Sequence, residues 1–215
     1  MPFSILNTTI VLTGKGFDPT RFNIEYLRAK EIIPPDWSAP ENPFVTPIIA
    51  NAMFSNGASL IVQQERIQIG WAGTAIDPLE TGLENFARSL VQDQEKYVYT
   101  GIGLNFHGLF QVDHPEEFIR DKFSIPMTRI KKIQMSEIDI LGFSGKRPYG
   151  TGHFSLSSVR FVDTDKVNKE GIVFNSNYDC KLGDPGDSKS AIRVIDSFRE
   201  AAKDFASIAK NIFDE

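Results

Sequence analysis

The sequence predicts an α+β fold: a curved, mostly antiparallel sheet packed by a long C-terminal amphipathic helix and two shorter helices. Three observations carry this expectation. Asn56-Gly57 sits between two apolar runs, the strongest short-range hairpin signal. Ile192, Ile195, Phe198, Ala202, Phe205, Ala209 and Ile212 recur at helical spacing near the end of the chain. Most strand-like runs between these points are joined by short turns, so no parallel pair demands a helical crossover.

Taken in order, residues 5–17 (ILNTTIVLTGKGF) are rich in β-branched side chains and close on two glycines, which predicts a strand. Residues 22–28 (FNIEYLR) alternate apolar and polar positions and predict a second, short strand. Five prolines between 33 and 47 exclude a helix and most ladder positions, so this stretch reads as an extended connector inside a single domain spanning 1–215. Residues 45–71 follow as a three-stranded meander around Asn56-Gly57, with Ile67, Ile69 and Trp71 on one face at period two.

Asp77-Pro78-Leu79-Glu80 carries an N-cap acceptor, a proline at the first helical position and a glutamate at the third. Leu79, Leu83, Phe86 and Leu90 then predict a helix to about residue 94. Residues 97–112 alternate as a long strand, and Asp113-His114-Pro115-Glu116 opens a short helix through Phe118, Ile119 and Phe123. Three more strands are expected at 138–143, 153–163 and 171–182, with a flexible glycine-rich hairpin loop over 142–152. Asp187 or Ser188 caps the last helix, whose stripe predicts about seven unbroken turns lying across the sheet. No internal repeat is strong enough to count, although two strand-helix-strand halves are conceivable.

Composition narrows the function classes. The 215 residues carry 28 Asp and Glu against 23 Lys and Arg, a net charge of -5 that argues against broad nucleic-acid binding. Cys180 is the single cysteine, so an internal disulfide and a cysteine-rich zinc site are both excluded for this chain. The first residues lack a basic region and a long apolar core, and no apolar run approaches the roughly 20 residues that cross a bilayer. The expectation is a cytoplasmic protein without a membrane or cofactor requirement. Seventeen Phe against five Tyr and two Trp place most rings in the core, since Phe has no polar end to leave in water.

The phrase Leu60-Ile-Val-Gln-Gln-Glu-Arg-Ile-Gln-Ile-Gly-Trp71, then a helix, the strand over 97–112, late strands and a terminal amphipathic helix together resemble a sporadically distributed family of uncharacterised bacterial proteins. The resemblance spans 58–213, with Asn105-Phe106 as the counterpart of that family's asparagine-bearing strand. It implies a fold and a prokaryotic source, and no reaction.

Two groups of residues are candidates for chemistry. His107 and His153 form a candidate polar site, although His107 reads first as a hydrogen-bonded structural histidine, since its seven-residue spacing from His114 does not suit a metal pair. Arg129, Lys131, Lys132, Lys146 and Arg147 form a candidate patch for an anion or an acidic partner if the fold brings them together. Lys146 and Arg147 lie in the 142–152 loop, which lacks the Gly-Lys-Ser/Thr ending of a phosphate-binding loop. The pairs Glu116-Glu117 and Asp163/Asp165 cannot face one another across a cleft as glycosidase carboxylates do. Cys180 reads as a small buried residue rather than a nucleophile.

Three functions follow. A non-catalytic interaction or regulatory protein, with a protein partner or a second copy of itself, comes first. A binder of a small apolar ligand between sheet and C-terminal helix is second. An enzyme drawing on dispersed residues such as His107, His153 and Glu65 is third.

Overall fold

A computed structural model of the chain describes residues 3–34, 37–38, 43–73, 78–123, 140–162, 166–183 and 186–213. Nine strands are described: β1 Phe3–Lys15, β2 Phe44–Val45, β3 Ile49–Met53, β4 Ala58–Gln63, β5 Arg66–Ala72, β6 Val98–Gln111, β7 Ile140–Arg147, β8 Gly150–Val162 and β9 Asn168–Lys181. They form one open, curved antiparallel sheet in the order β2-β3-β4-β5-β1-β6-β9-β8-β7. The helices are α1 Ile24–Ala29, α2 Leu83–Asp93, α3 Pro115–Lys122 and a C-terminal pair, α4 Ser188–Ile195 and α5 Phe198–Phe213. The α+β architecture, the antiparallel sheet and the long terminal helical segment are as the sequence predicts.

The element order runs twice through the same course. A long strand (β1, then β6) is followed by a short helix, a meander and a packing helix. In each pass the long strand returns beside the last strand of its own meander, β1 against β5 and β6 against β9. The two passes join where β1 pairs with β6 at the centre of the sheet. The sequence shows no matching repeat because the recurrence lies in topology and not in residue identity.

Alternation sorts each strand into two faces. Ile10, Leu12, Ile102, Leu104, Phe106, Phe154, Phe174 and Tyr178 are buried on one face, in a cluster that also takes in the helices. The centre of that layer is aromatic. Phe205 of α5 stacks on Phe174 with centroids 4.9 Å apart, and Phe106 and Phe3 lie 5.6 and 5.7 Å away. Phe213 stacks on Phe110 at 4.3 Å. Each such ring removes a large apolar area from water, and offset contacts add to that burial.

Four local expectations are corrected. The run 22–28 is not a strand: Asn23 accepts a hydrogen bond from the Tyr26 amide at 2.8 Å and caps α1, and Ile24 and Leu27 are buried at helical spacing. Over so few residues, alternation and a one-turn helical stripe look alike, and the cap decides. The helix expected from Asp77 starts later, as a 3-10 turn at Pro78–Glu80 and then α2 from Leu83, with Gly82 at its N-cap in the left-handed region.

The glycine-rich 142–152 stretch is not a flexible loop. β7 continues through Arg147 and β8 begins at Gly150, leaving only Pro148 and Tyr149 in the turn. Gly152 sits in the ladder because aromatic rings crowd it: a Cβ there would lie 2.8 Å from the Phe154 ring. The C-terminal helix, finally, is not continuous. It bends at Asp196 and Ser197, where the Ser197 hydroxyl donates to the Val194 carbonyl at 2.6 Å and competes with the helical ladder. Arg88 of α2 holds the bend through Asp196 at 2.6 Å, and Arg199 beyond it bonds Glu84 of α2 at 2.9 Å.

Candidate functional site

The described helices pack on one face of the sheet, and the opposite face of the central strands carries a different chemistry. Following the ladder register, Ser144, His153, Asn177, Asn105 and Thr9 form one row across β7, β8, β9, β6 and β1. Gly142, Ser155, Asn175, His107 and Asn7 form the next row. Most of these side chains are half-buried or exposed, and none is a carboxylate, lysine or arginine.

Hydrogen bonds order the second row. His107 Nδ1 lies 2.6 Å from Asn175 Oδ1. An amide oxygen only accepts, so Nδ1 carries a proton and donates it, and in the neutral ring Nε2 is left as an acceptor. Asn175 Nδ2 points at Ser155 Oγ, 3.5 Å away. The Thr9 hydroxyl donates to Asn7 Oδ1 at 3.0 Å. The structure thus places His107 and His153 on the same face, and it does not bring them together. β9 runs between their strands, and a strand spacing of about 4.8 Å separates them by about 10 Å across the sheet. Neither imidazole has a carboxylate hydrogen-bond partner among the described residues. Glu65 sits in the β4–β5 turn, and β1 lies between β5 and β6. Among the described residues, no group of three or more His, Cys, Asp or Glu could hold a metal ion.

The basic candidates separate. Arg129, Lys131 and Lys132 lie outside the described residues. Lys146 alternates onto the polar face and is exposed, whereas its neighbour Arg147 turns to the helical side. There Arg147 Nε donates to Asp204 Oδ2 of α5 at 2.8 Å, and its guanidinium lies 5.7 Å from the centre of the Phe154 ring. The Tyr178 hydroxyl donates to the same Asp204 oxygen at 3.0 Å. Burial, and then the adjacent Asp204 carboxylate, push the Tyr178 and Tyr149 hydroxyls well above the ordinary tyrosine value. The Asp204 hydrogen bond likewise raises Arg147. Arg147 is therefore engaged inside the fold, on the opposite side of the strand from Lys146.

The space between the middle of the sheet and α5 is filled by the Phe106, Phe174 and Phe205 rings. A cavity of about 440 Å³ opens instead at the end of that layer, beside Tyr149, Cys180 and α4. Burial, and then Asp179, push the Cys180 thiol above its ordinary value, so it stays protonated at neutral pH. No helix of the described residues is long and apolar enough to cross a membrane.

Sequence reasoning missed Asn175, Asn177 and Asp204. The two asparagines share a face at period two, a signal readable once β9 is accepted as a strand. Asp204 gave none, because its partners lie 57 and 26 residues away. No family model matches the chain, and no curated protein matches it.

Proposed function

We propose that the protein works by binding another protein on the polar face of its sheet, which no described helix covers, without bond-making chemistry of its own. The observation that carries this reading is the pair of rows running through Asn105-Asn177-His153 and His107-Asn175-Ser155. They present uncharged donors and acceptors from a rigid, hydrogen-bonded platform, which suits recognition of another polypeptide's amides and polar side chains. The absence of cations from both rows, with a net charge of -5, weighs against a phosphate backbone as the ligand. The two separated imidazoles, each without a carboxylate partner among the described residues, weigh against acid–base catalysis.

The test is site-specific photo-crosslinking in the native host, with the crosslinker at Asn177 on the polar face or at exposed Lys203 on α5. The reading expects a discrete protein adduct from position 177 that is absent from position 203. Adducts formed equally from both positions, or only from 203, would overturn it.

A further inference from the structure

Among the described residues, the two passes of the chain differ at a corresponding notch, between the β3–β4 or β7–β8 turn and the start of the packing helix. In the first pass the notch is plugged. Trp37, from the connector, is buried with its ring 5.1 Å from Phe54 of the β3–β4 turn and 5.3 Å from Phe86 of α2. Gly82, at the α2 N-cap, has no side chain, and a Cβ there would meet the Trp37 ring only at 4.0 Å. The turn glycines correspond too. A Cβ on Gly57 would lie 2.4 Å from the Ala72 carbonyl oxygen, and one on Gly150 would lie 2.5 Å from that of Asp179.

In the second pass the same notch, between the β7–β8 turn, the end of β9 and α4, is a cavity of about 440 Å³ that no described aromatic side chain plugs. Tyr149, Cys180, Lys181, Ser190, Arg193 and Glu200 are among the residues that line it. The Tyr149 ring is held edge-on to Tyr178, with centroids 5.2 Å apart. Arg193 is exposed, and neither it nor Lys181 takes an ion pair among the described residues.

We propose that this cavity binds a small planar organic anion, an aromatic carboxylate in the simplest case. Its ring lies against Tyr149 where the first pass places the Trp37 indole. Its carboxylate meets the Arg193 guanidinium, whose planar fork fits two carboxylate oxygens. Glu200, which also lines the cavity, disfavours a second negative group and so selects monoanions. This site is separate from the polar sheet face and goes beyond the protein-docking reading.

The test is calorimetric titration of the full chain with indole-3-acetate, using indole and acetate as controls that each lack one half of the ligand. Protection of Cys180, the single cysteine, from alkylation reports occupancy at this cavity. Saturable 1:1 binding is expected, at least tenfold tighter than either control, with slowed Cys180 alkylation. Arg193→Glu should weaken it at least tenfold, and Asn177→Arg on the sheet face should leave it unchanged. Because Arg193 is exposed, its variant should keep the wild-type unfolding midpoint, so lost binding would not reflect lost folding. No saturable binding of indole-3-acetate, equal binding of indole alone, or binding indifferent to Arg193→Glu would each overturn the proposal.

Discussion

Arg147 Nε donates to Asp204 Oδ2 at 2.8 Å, fastening the tip of the β7–β8 hairpin to the C-terminal helix. Tyr178 reaches the same oxygen, so one half-buried carboxylate collects donors from two strands. Asp204→Ala removes both bonds and leaves the Tyr178 hydroxyl and the Arg147 guanidinium without their acceptor. The pair is about a third exposed, so solvent screens part of the attraction. A loss of about 2 kcal/mol is expected in denaturant unfolding. Arg120→Ala, which removes a pair whose acceptor, neighbouring Asp121, is exposed, should lower the midpoint much less.

Phe205 is fully buried among Phe3, Phe106 and Phe174. Phe205→Ala leaves a void that these rings cannot close, so stability should fall by about 3–5 kcal/mol. In a chain of this size each kcal/mol lowers the thermal midpoint by about 2–4 °C, which calorimetry reads directly.

Gly150 and Gly183 lie at opposite ends of β-rich segments of the second pass and should respond differently to alanine. Gly150 has a φ of 138°, and an added Cβ would lie 2.5 Å from the Asp179 carbonyl oxygen. Gly183 has nothing within 4 Å of its Cβ position. Gly150→Ala should cost about 1–3 kcal/mol in equilibrium unfolding. Gly183→Ala should stay within about 0.5 kcal/mol of wild type.

Alkaline pH should unfold the protein partly through its buried tyrosines. Burial raises the Tyr99 hydroxyl, and burial with Asp204 raises that of Tyr178. Below pH about 10 both states keep these protons, and the stabilising contribution is complete. Above it the unfolded chain releases them first, so stability falls as pH rises toward the folded-state values. Tyr178→Phe should show a shallower decline above pH 10 in unfolding experiments run across the alkaline range.

Much of this architecture was legible because periodicity and turn chemistry are local. Asn56-Gly57 gives a turn in which the Gly57 amide donates to the Phe54 carbonyl at 3.1 Å, and the α5 stripe Phe198, Phe205 and Ile212 faces the core. The errors came where local signals compete. Asn23 turned an alternating run into α1, and Ser197 broke a stripe whose spacing continues through the bend. The glycines of 142–152 suggest freedom, whereas Gly152 makes room for the Phe154 ring. The candidate site was half legible. His107 and His153 can be named from residue type, but their separation by β9 depends on strand order, which no short segment encodes. Asp204 gains its role from Arg147 and Tyr178, distant in sequence.

The central claim is that the polar rows of the sheet, on the face that no described helix covers, dock a protein partner. The most direct measurement is the affinity of the partner crosslinked at position 177 for the purified wild-type chain, for Asn177→Arg and for Lys203→Glu. The account predicts at least a tenfold weakening with Asn177→Arg, which sets a bulky cation on the uncharged rows, and no change with Lys203→Glu on the far side of the helix. Unchanged affinity with Asn177→Arg, or a loss confined to Lys203→Glu, would contradict it.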